Sequence, residues 1–136
     1  MWKDNLGIEV ELVNQEWAVF QETKKMSNYM IAKGSWYGDY ADPMSMLEIM
    51  TSTNEINTTG WKNATYDQLI TSARLVNGQE RFELLYQAQS ILMDEAPIMP
   101  IFYTTDQFMI SERIQNWEKT AMSIWYFGHV EITENN

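Results

Sequence analysis

Apolar and polar residues alternate along Ile8-Glu9-Val10-Glu11-Leu12-Val13, the period-two pattern of a strand with one buried face. Ahead of it, the stretch from Trp2 to Gly7 reads as the tail of a helix, with Gly7 placed for a left-handed C-terminal cap. A helix tail without a body is what a chain cut from something larger would show. The period then lengthens. Asn14 is placed to cap a helix over about 15–27, in which Trp17 and Phe20 are expected to face inward. Tyr29-Met30-Ile31-Ala32 restores a strand-like run that ends at Gly34. Strand, helix and strand in this order predict a βαβ unit, with a parallel pair and a right-handed crossover.

Helical spacing dominates the next segment. Asp42-Pro43 opens a short helix from Met44 to about Met50, with Asp42 as N-cap and Pro43 in the first helical position. A polar loop rich in Thr and Asn covers 51–60. Thr65-Tyr66-Asp67-Gln68 matches a capping box, so the following helix should turn Tyr66, Leu69, Ile70 and Ala73 inward and end at Asn77-Gly78. A longer helix over about 79–95 is expected to bury Phe82, Leu85 and Leu92. Pro97 and Pro100 bracket Ile98-Met99, and Ile101-Phe102-Tyr103 suits a strand at a sheet edge. Phe108-Met109-Ile110 suits a further short strand. After Asn116 the pattern is aromatic-rich and irregular, and Glu134-Asn135-Asn136 reads as frayed. The alternation of strand and helix patterns predicts an α/β fold, with no internal repeat.

Composition narrows the function classes. A chain of 136 residues with 45% hydrophobic and 13% aromatic content can build a real core. Its 19 acidic residues against 9 basic ones give a net charge of -10, which repels phosphate backbones and anionic membrane surfaces and so argues against nucleic acid as a partner. The absence of cysteine excludes disulfides, thiolate metal sites and cysteine nucleophiles. No run approaches the ~18 apolar residues of a membrane span. Met1-Trp2-Lys3-Asp4-Asn5 shows no basic stretch leading into an apolar one.

Catalytic chemistry finds little purchase. His129 is the one histidine, with no histidine partner for a metal and no nucleophile elbow beside it. The acidic pairs Glu9 with Glu11 and Asp94 with Glu95 lie on a strand face and at a helix end, and read as solvated faces rather than a cleft. Asn57-Thr58-Thr59 and Asn63-Ala64-Thr65 are formal glycosylation sequons. The ten methionines are expected mainly to fill the core. No catalytic set, metal site or cofactor fingerprint emerges, and no enzyme is expected; a carboxylate-based glycosidase would need two acids facing one cleft.

One segment stands apart. Lys33-Gly34-Ser35-Trp36-Tyr37-Gly38-Asp39-Tyr40-Ala41-Asp42-Pro43 follows an expected parallel strand and leads into a helix, the place where open α/β sheets bind ligands. A strand end there can pair with an extended peptide, and a fixed carboxylate can accept an ammonium group. Alternatively Trp36 belongs to the core and Asp39 caps a turn, and residue physics alone favours this second reading.

At these residues the sequence resembles the bacterial extracellular solute-binding proteins of the oligopeptide- and dipeptide-binding family (family 5), the capture subunits of ABC importers. Trp2, Asn5-Leu6-Gly7-Ile8-Glu9-Val10 and Asn14-Gln15-Glu16-Trp17 resemble its helix-to-strand passage. Ser35-Trp36-Tyr37-Gly38-Asp39-Tyr40-Ala41-Asp42-Pro43 resembles its most characteristic motif. Asn57, Trp61, Tyr66-Asp67, Arg81, Gln87-Ala88-Gln89, Leu92 and Pro97-Ile98-Met99-Pro100-Ile101 keep its order.

The resemblance implies a C-terminal fragment of a two-lobed protein. Residues 1–100 would be part of a type II periplasmic-binding-protein-like lobe, a mixed sheet flanked by helices. Residues 101–136 would hold the strand crossing back to the other lobe and a tail. It further implies that Asp39 binds a peptide's α-amino group and that the backbone of Ser35, Trp36 and Tyr37 pairs with the ligand main chain. Trp36 would help wall a side-chain pocket, and Lys33 would meet a ligand carboxylate. Some relatives carry cysteine where Tyr37 stands, so a local disulfide is excluded here. The implied partners are an oligopeptide and ABC permease subunits, at the outer face of the membrane through a lipid anchor, or in the periplasm. The chain alone would be a monomer or a domain-swapped dimer. The same fold binding a nickel complex or a sugar, or a receptor that senses peptides without importing them, is the alternative.

Overall fold

The computed structural model of the protein describes residues 1–120 and 122–134. They divide into two units, Met1–Lys33 and Gly34–Asn136.

In the first unit, helix α1 (Trp2–Leu6) closes as expected on Gly7, which sits at φ 69° and donates its N–H to the Lys3 carbonyl. Helix α2 (Trp17–Lys25) starts later than the pattern predicts, because Glu16 takes the capping role from Asn14. Its carboxylate accepts the N–H groups of Ala18 (2.9 Å) and Val19 (3.3 Å), the donors that a helix start leaves unpaired. The Trp17 and Phe20 rings lie 6.1 Å apart, yet Trp17 stays 69% exposed and neither helix buries a residue. Residues 8–16 and 28–32 enter no ladder, so the expected parallel βαβ pair is not formed within the unit. Alternation specifies which side chains share a face but supplies no partner strand.

The second unit is built on three helical stretches. Helix α3 (Met44–Leu47) runs on into a 3-10 turn (Glu48–Met50), helix α4 spans Ala64–Ala73, and helix α5 spans Gly78–Glu95. Each contributes a stripe at three- and four-residue spacing, and together the stripes form the core: Met44, Leu47, Met50; Tyr66, Ile70, Ala73; Leu85, Ala88, Leu92. Trp61, Leu69 and Ile98 pack against it. Tyr66 is 0% exposed, and its hydroxyl donates to the Leu47 carbonyl at 2.6 Å, which joins α4 to the end of α3.

Two local expectations are corrected. The cap of α4 is Asn63, whose side-chain oxygen accepts the Tyr66 N–H at 2.9 Å. Thr65 lies inside the helix, and Asp67 accepts the Ser52 N–H at 2.9 Å from the preceding loop. Phe82 is exposed rather than buried. At about 100° per residue it falls roughly a quarter turn off the Leu85–Ala88–Leu92 stripe, whereas Arg81 falls on it. The methionines divide as well. Met44 and Met50 are buried, but Met1, Met26, Met30, Met46, Met93, Met99 and Met109 are exposed.

No ladder forms at 101–103 or 108–110. The segment that reads as irregular is instead where strands pair. β1 (Ile114–Gln115) runs antiparallel to β4 (Glu131–Ile132), and β2 (Glu118–Lys119) antiparallel to β3 (Trp125–Tyr126). Edge-to-face contacts of Phe108 with Trp117 (5.6 Å) and Trp125 (4.6 Å) brace the second hairpin. Lys119 lies over the Phe108 and Trp125 rings and pairs with Asp106 at 2.8 Å. Glu134 is exposed without regular structure; the expectation of fraying at Asn135 and Asn136 lies outside the described residues.

The buried phenol makes a direct test of the core. Tyr66→Phe should lower the stability of the chain by about 1–2 kcal/mol in urea unfolding, by removing one buried hydrogen bond. Tyr66→Ala should cost about 3–5 kcal/mol through the cavity it leaves. A Phe variant as stable as the parent would show that the Tyr66–Leu47 bond contributes nothing.

Candidate functional site

The motif from Ser35 to Asp42 begins the second unit. Residues 35–38 enter no helix or ladder, and the chain then bends through 39–42 into α3. Asp42 makes that bend possible. Its Oδ1 accepts the Met44 N–H at 2.8 Å, capping the helix as expected, and its backbone carbonyl accepts the Ser45 N–H at 3.1 Å. Pro43 follows, where its fixed φ suits a helix start.

Charge pairs tie the bend to the other helices. Arg81 of α5 donates to both oxygens of Asp42, Nη1 to Oδ2 at 2.9 Å and Nη2 to Oδ1 at 2.7 Å, a bidentate geometry that fixes orientation as well as distance. This pairing, with the Met44 N–H, holds the Asp42 carboxyl below its ordinary pKa. The Tyr40 hydroxyl donates to Glu48 at 2.6 Å, and Arg74, at the end of α4, donates to the other Glu48 oxygen at 2.7 Å. Desolvation and the adjacent Glu48 push the Tyr40 phenol up to about 12. The Tyr40 and Arg74 bonds draw the Glu48 carboxyl down, against the opposing effect of burial. These partners lie 26 and 39 residues away in sequence, and the family motif alone gives no sign of them. The signal that does exist is an arginine on the apolar stripe of a helix.

Ser45 grips the middle of the motif. Its carbonyl accepts the Trp36 indole N–H at 3.1 Å, and its hydroxyl accepts the Asp39 N–H at 2.6 Å. Trp36 is thereby half-buried with its polar edge satisfied. Ser35, Tyr37 and Asp39 are exposed, and nothing among the described residues donates to the Asp39 carboxylate. The turn-capping alternative for Asp39 is therefore not what its side chain does among these residues. Lys33 is exposed and ends the first unit; the other four expected site residues lie together in the second. A pocket of about 370 Å³ opens beside the motif, lined by Tyr37, Gly38, Tyr40, Ala41, Asp42, Pro43, Met46, Met122 and Ser123. Asp39 does not line it.

The remaining candidates have structural partners. The Asn57 amide donates to the carbonyls of Met50 (3.1 Å) and Trp61 (3.0 Å), and the Asn63 amide donates to Glu95 at 2.7 Å, so both sequon nitrogens are engaged. His129 meets Tyr126 edge-on at 5.6 Å. Among the described residues no group of His, Cys, Asp and Glu could hold a metal ion, and no helix is long and apolar enough to cross a membrane.

No protein-family model matches the chain. Individual relatives do. It is 40% identical over 114 residues to the dipeptide-binding protein DppE of Bacillus subtilis, covering 83% of this chain and 21% of that protein. It is similar to the unliganded open form of the murein tripeptide-binding protein MppA of Escherichia coli, with 36% identity and a TM-score of 0.69 over 71% of this chain and 19% of that one. An oligopeptide ABC transporter substrate-binding domain from Bacillus anthracis shares the fold at a TM-score of 0.82, covering 98% of this chain and 27% of that one. The chain thus has the fold of part of a type II binding-protein lobe, and it spans about a fifth of the length of the curated relatives it matches. The expected family resemblance is borne out.

The brace around the motif has a pH signature. Because the Asp42 and Glu48 carboxyls titrate lower when folded, their stabilisation is fully present above their unfolded pKa values of about 4. It is lost as pH falls through the lowered folded values. Arg81→Met should therefore lower the urea midpoint at pH 7. The gap between variant and parent should narrow as pH drops toward 3, read from urea midpoints at the two pH values. A gap independent of pH would mean that Arg81 stabilises through packing alone.

Proposed function

We propose that this chain, a homologue over most of its length of one segment of the peptide-binding solute receptors, forms the part of such a receptor that holds a peptide's amino end. One observation carries this reading: Asp39 presents an exposed carboxylate that nothing among the described residues occupies, on a backbone pinned by Ser45. A carboxylate held in this way can accept a charge-assisted hydrogen bond from an α-ammonium group. Ser35, Trp36 and Tyr37 enter no ladder, and their main-chain groups would pair with a peptide backbone, as in strand addition. Trp36, anchored by its indole N–H, would wall a neighbouring side-chain pocket. Lys33 is assigned to a ligand carboxylate on its place in the chain alone.

The work proposed is capture rather than catalysis. The peptide would be delivered to the permease subunits of an ABC importer from the extracytoplasmic side, in the periplasm or from a lipid anchor on the outer face of the membrane. The names of the relatives as dipeptide-, oligopeptide- and murein peptide-binding proteins, two of them periplasmic, support this reading. Residues 1–100 would then belong to the ligand-binding lobe, and residues 101–136 to the return toward the other lobe. Because the chain covers about a fifth of its relatives, the remaining walls of the site would come from outside it.

Calorimetry on the complete gene product tests the proposal, with a short peptide and its N-acetylated form. The parent should prefer the free amine by about tenfold or more, and Asp39→Asn should erase that preference. Equal affinities for the two peptides in the parent, or a preference that survives Asp39→Asn, would remove the ammonium from the mechanism.

A further inference from the structure

Ser45 is the one fully buried polar residue among the described residues, at 1% exposure. A serine in the first turn of a short helix is ordinarily free to face water. This one directs both its hydroxyl and its carbonyl at the motif, through the Asp39 N–H at 2.6 Å and the Trp36 indole at 3.1 Å. It also lies against the residue between them. A Cβ added to Gly38 would come within 3.2 Å of the Ser45 hydroxyl and 3.3 Å of the Tyr40 carbonyl oxygen, so the hydroxyl follows the backbone across two consecutive residues.

We propose that Ser45 is a positioning residue that sets the direction of the Asp39 carboxylate and so determines selectivity for a free α-ammonium. The inference rests on the reading of Asp39 as the ammonium clamp. An aspartate has two side-chain torsions, so a carboxylate is placed largely by its own backbone. Pinning the Asp39 nitrogen fixes the point from which those torsions swing. The short N–H to hydroxyl bond does this from a buried serine, and the Trp36 contact holds the chain three residues earlier. Without the hydroxyl, the Asp39 N–H has no other acceptor among the described residues and the bend can relax. The carboxylate would remain, but it would no longer be aimed.

The test compares Ser45→Ala, Ser45→Thr and Asp39→Asn in the complete gene product, using the free-amine peptide and its N-acetylated form. Ser45→Ala should weaken the free-amine peptide about tenfold and the acetylated one less than about twofold. Ser45→Thr, which keeps the hydroxyl, should retain the parental ratio of the two affinities. If Ser45→Ala weakens both peptides equally, or leaves the ratio unchanged, the residue is merely structural and the proposal is overturned. Should the Ala variant fail to fold, Ser45→Cys keeps nearly the volume with a much weaker acceptor, and its ratio is read by the same criterion. Asp39→Asn separates the two levels. If it leaves the ratio at the parental value, the clamp reading falls and this inference with it; if it collapses the ratio while Ser45→Ala does not, only the role of Ser45 is lost.

Discussion

A phenol sealed from water must find an acceptor or destabilise the fold, and Tyr66 finds the carbonyl at the end of α3. That bond fixes the last turn of a four-residue helix which could not hold its shape alone. The consequences run outward in order. With Leu47 held, Met44 and Met50 pack against α4 and α5, and Ser45 is carried into the interior. From there it reaches back to Trp36 and Asp39. Burial raises the Tyr66 pKa far above the ordinary phenol value, which keeps its hydroxyl a donor at neutral pH.

Around this apolar centre lies a ring of charge pairs that work by geometry more than by strength. Partly exposed pairs such as Glu48 with Arg74 contribute little stability individually. Their value here lies in their anchor points. Asp42 belongs to the motif and Arg81 to the start of α5, while Glu48 and Arg74 link the 3-10 turn to the end of α4. Each junction where the chain changes direction near Asp39 is therefore fixed by groups on at least two helices. The bend is determined by contacts distant in sequence, although its own residues suffice only for a turn.

Much of the helical part was legible in the sequence. Gly7 as a cap, Asp42 holding the start of α3, and Tyr66, Ile70 and Ala73 as one face all follow from periodicity and capping chemistry. Ala88 is fully buried as well, although the apolar spacing of its helix points to Leu85 and Leu92 alone. Phe82 is apolar but off the buried stripe of its helix, so its hydrophobicity alone does not place it. The strands failed for another reason. Ile8 to Val13 and Tyr29 to Ala32 have strand-like patterns, but pairing is a property of two segments, and no neighbour joins them within their unit. The short ladders at 114–132 lacked any alternation long enough to see. As for the site, the motif is visible in the sequence. The grip of Ser45 and the bidentate Arg81 were not, since no local pattern announces a contact between side chains 39 residues apart.

The inward hydroxyl of Ser45 has a consequence for how a clamp of this kind behaves when empty. Apart from the Asp39 carboxylate, the polar groups around the bend have partners inside the protein: the Trp36 indole, the Asp42 carboxylate, the Ser45 hydroxyl and the Tyr40 hydroxyl are all bonded. The loop therefore has no reason to collapse onto itself between encounters. The conformational entropy of ordering it is lost once, when the chain folds, and not again at each encounter. A bend so arranged presents the Asp39 carboxylate as a standing feature of the surface, placed by contacts made within the protein itself.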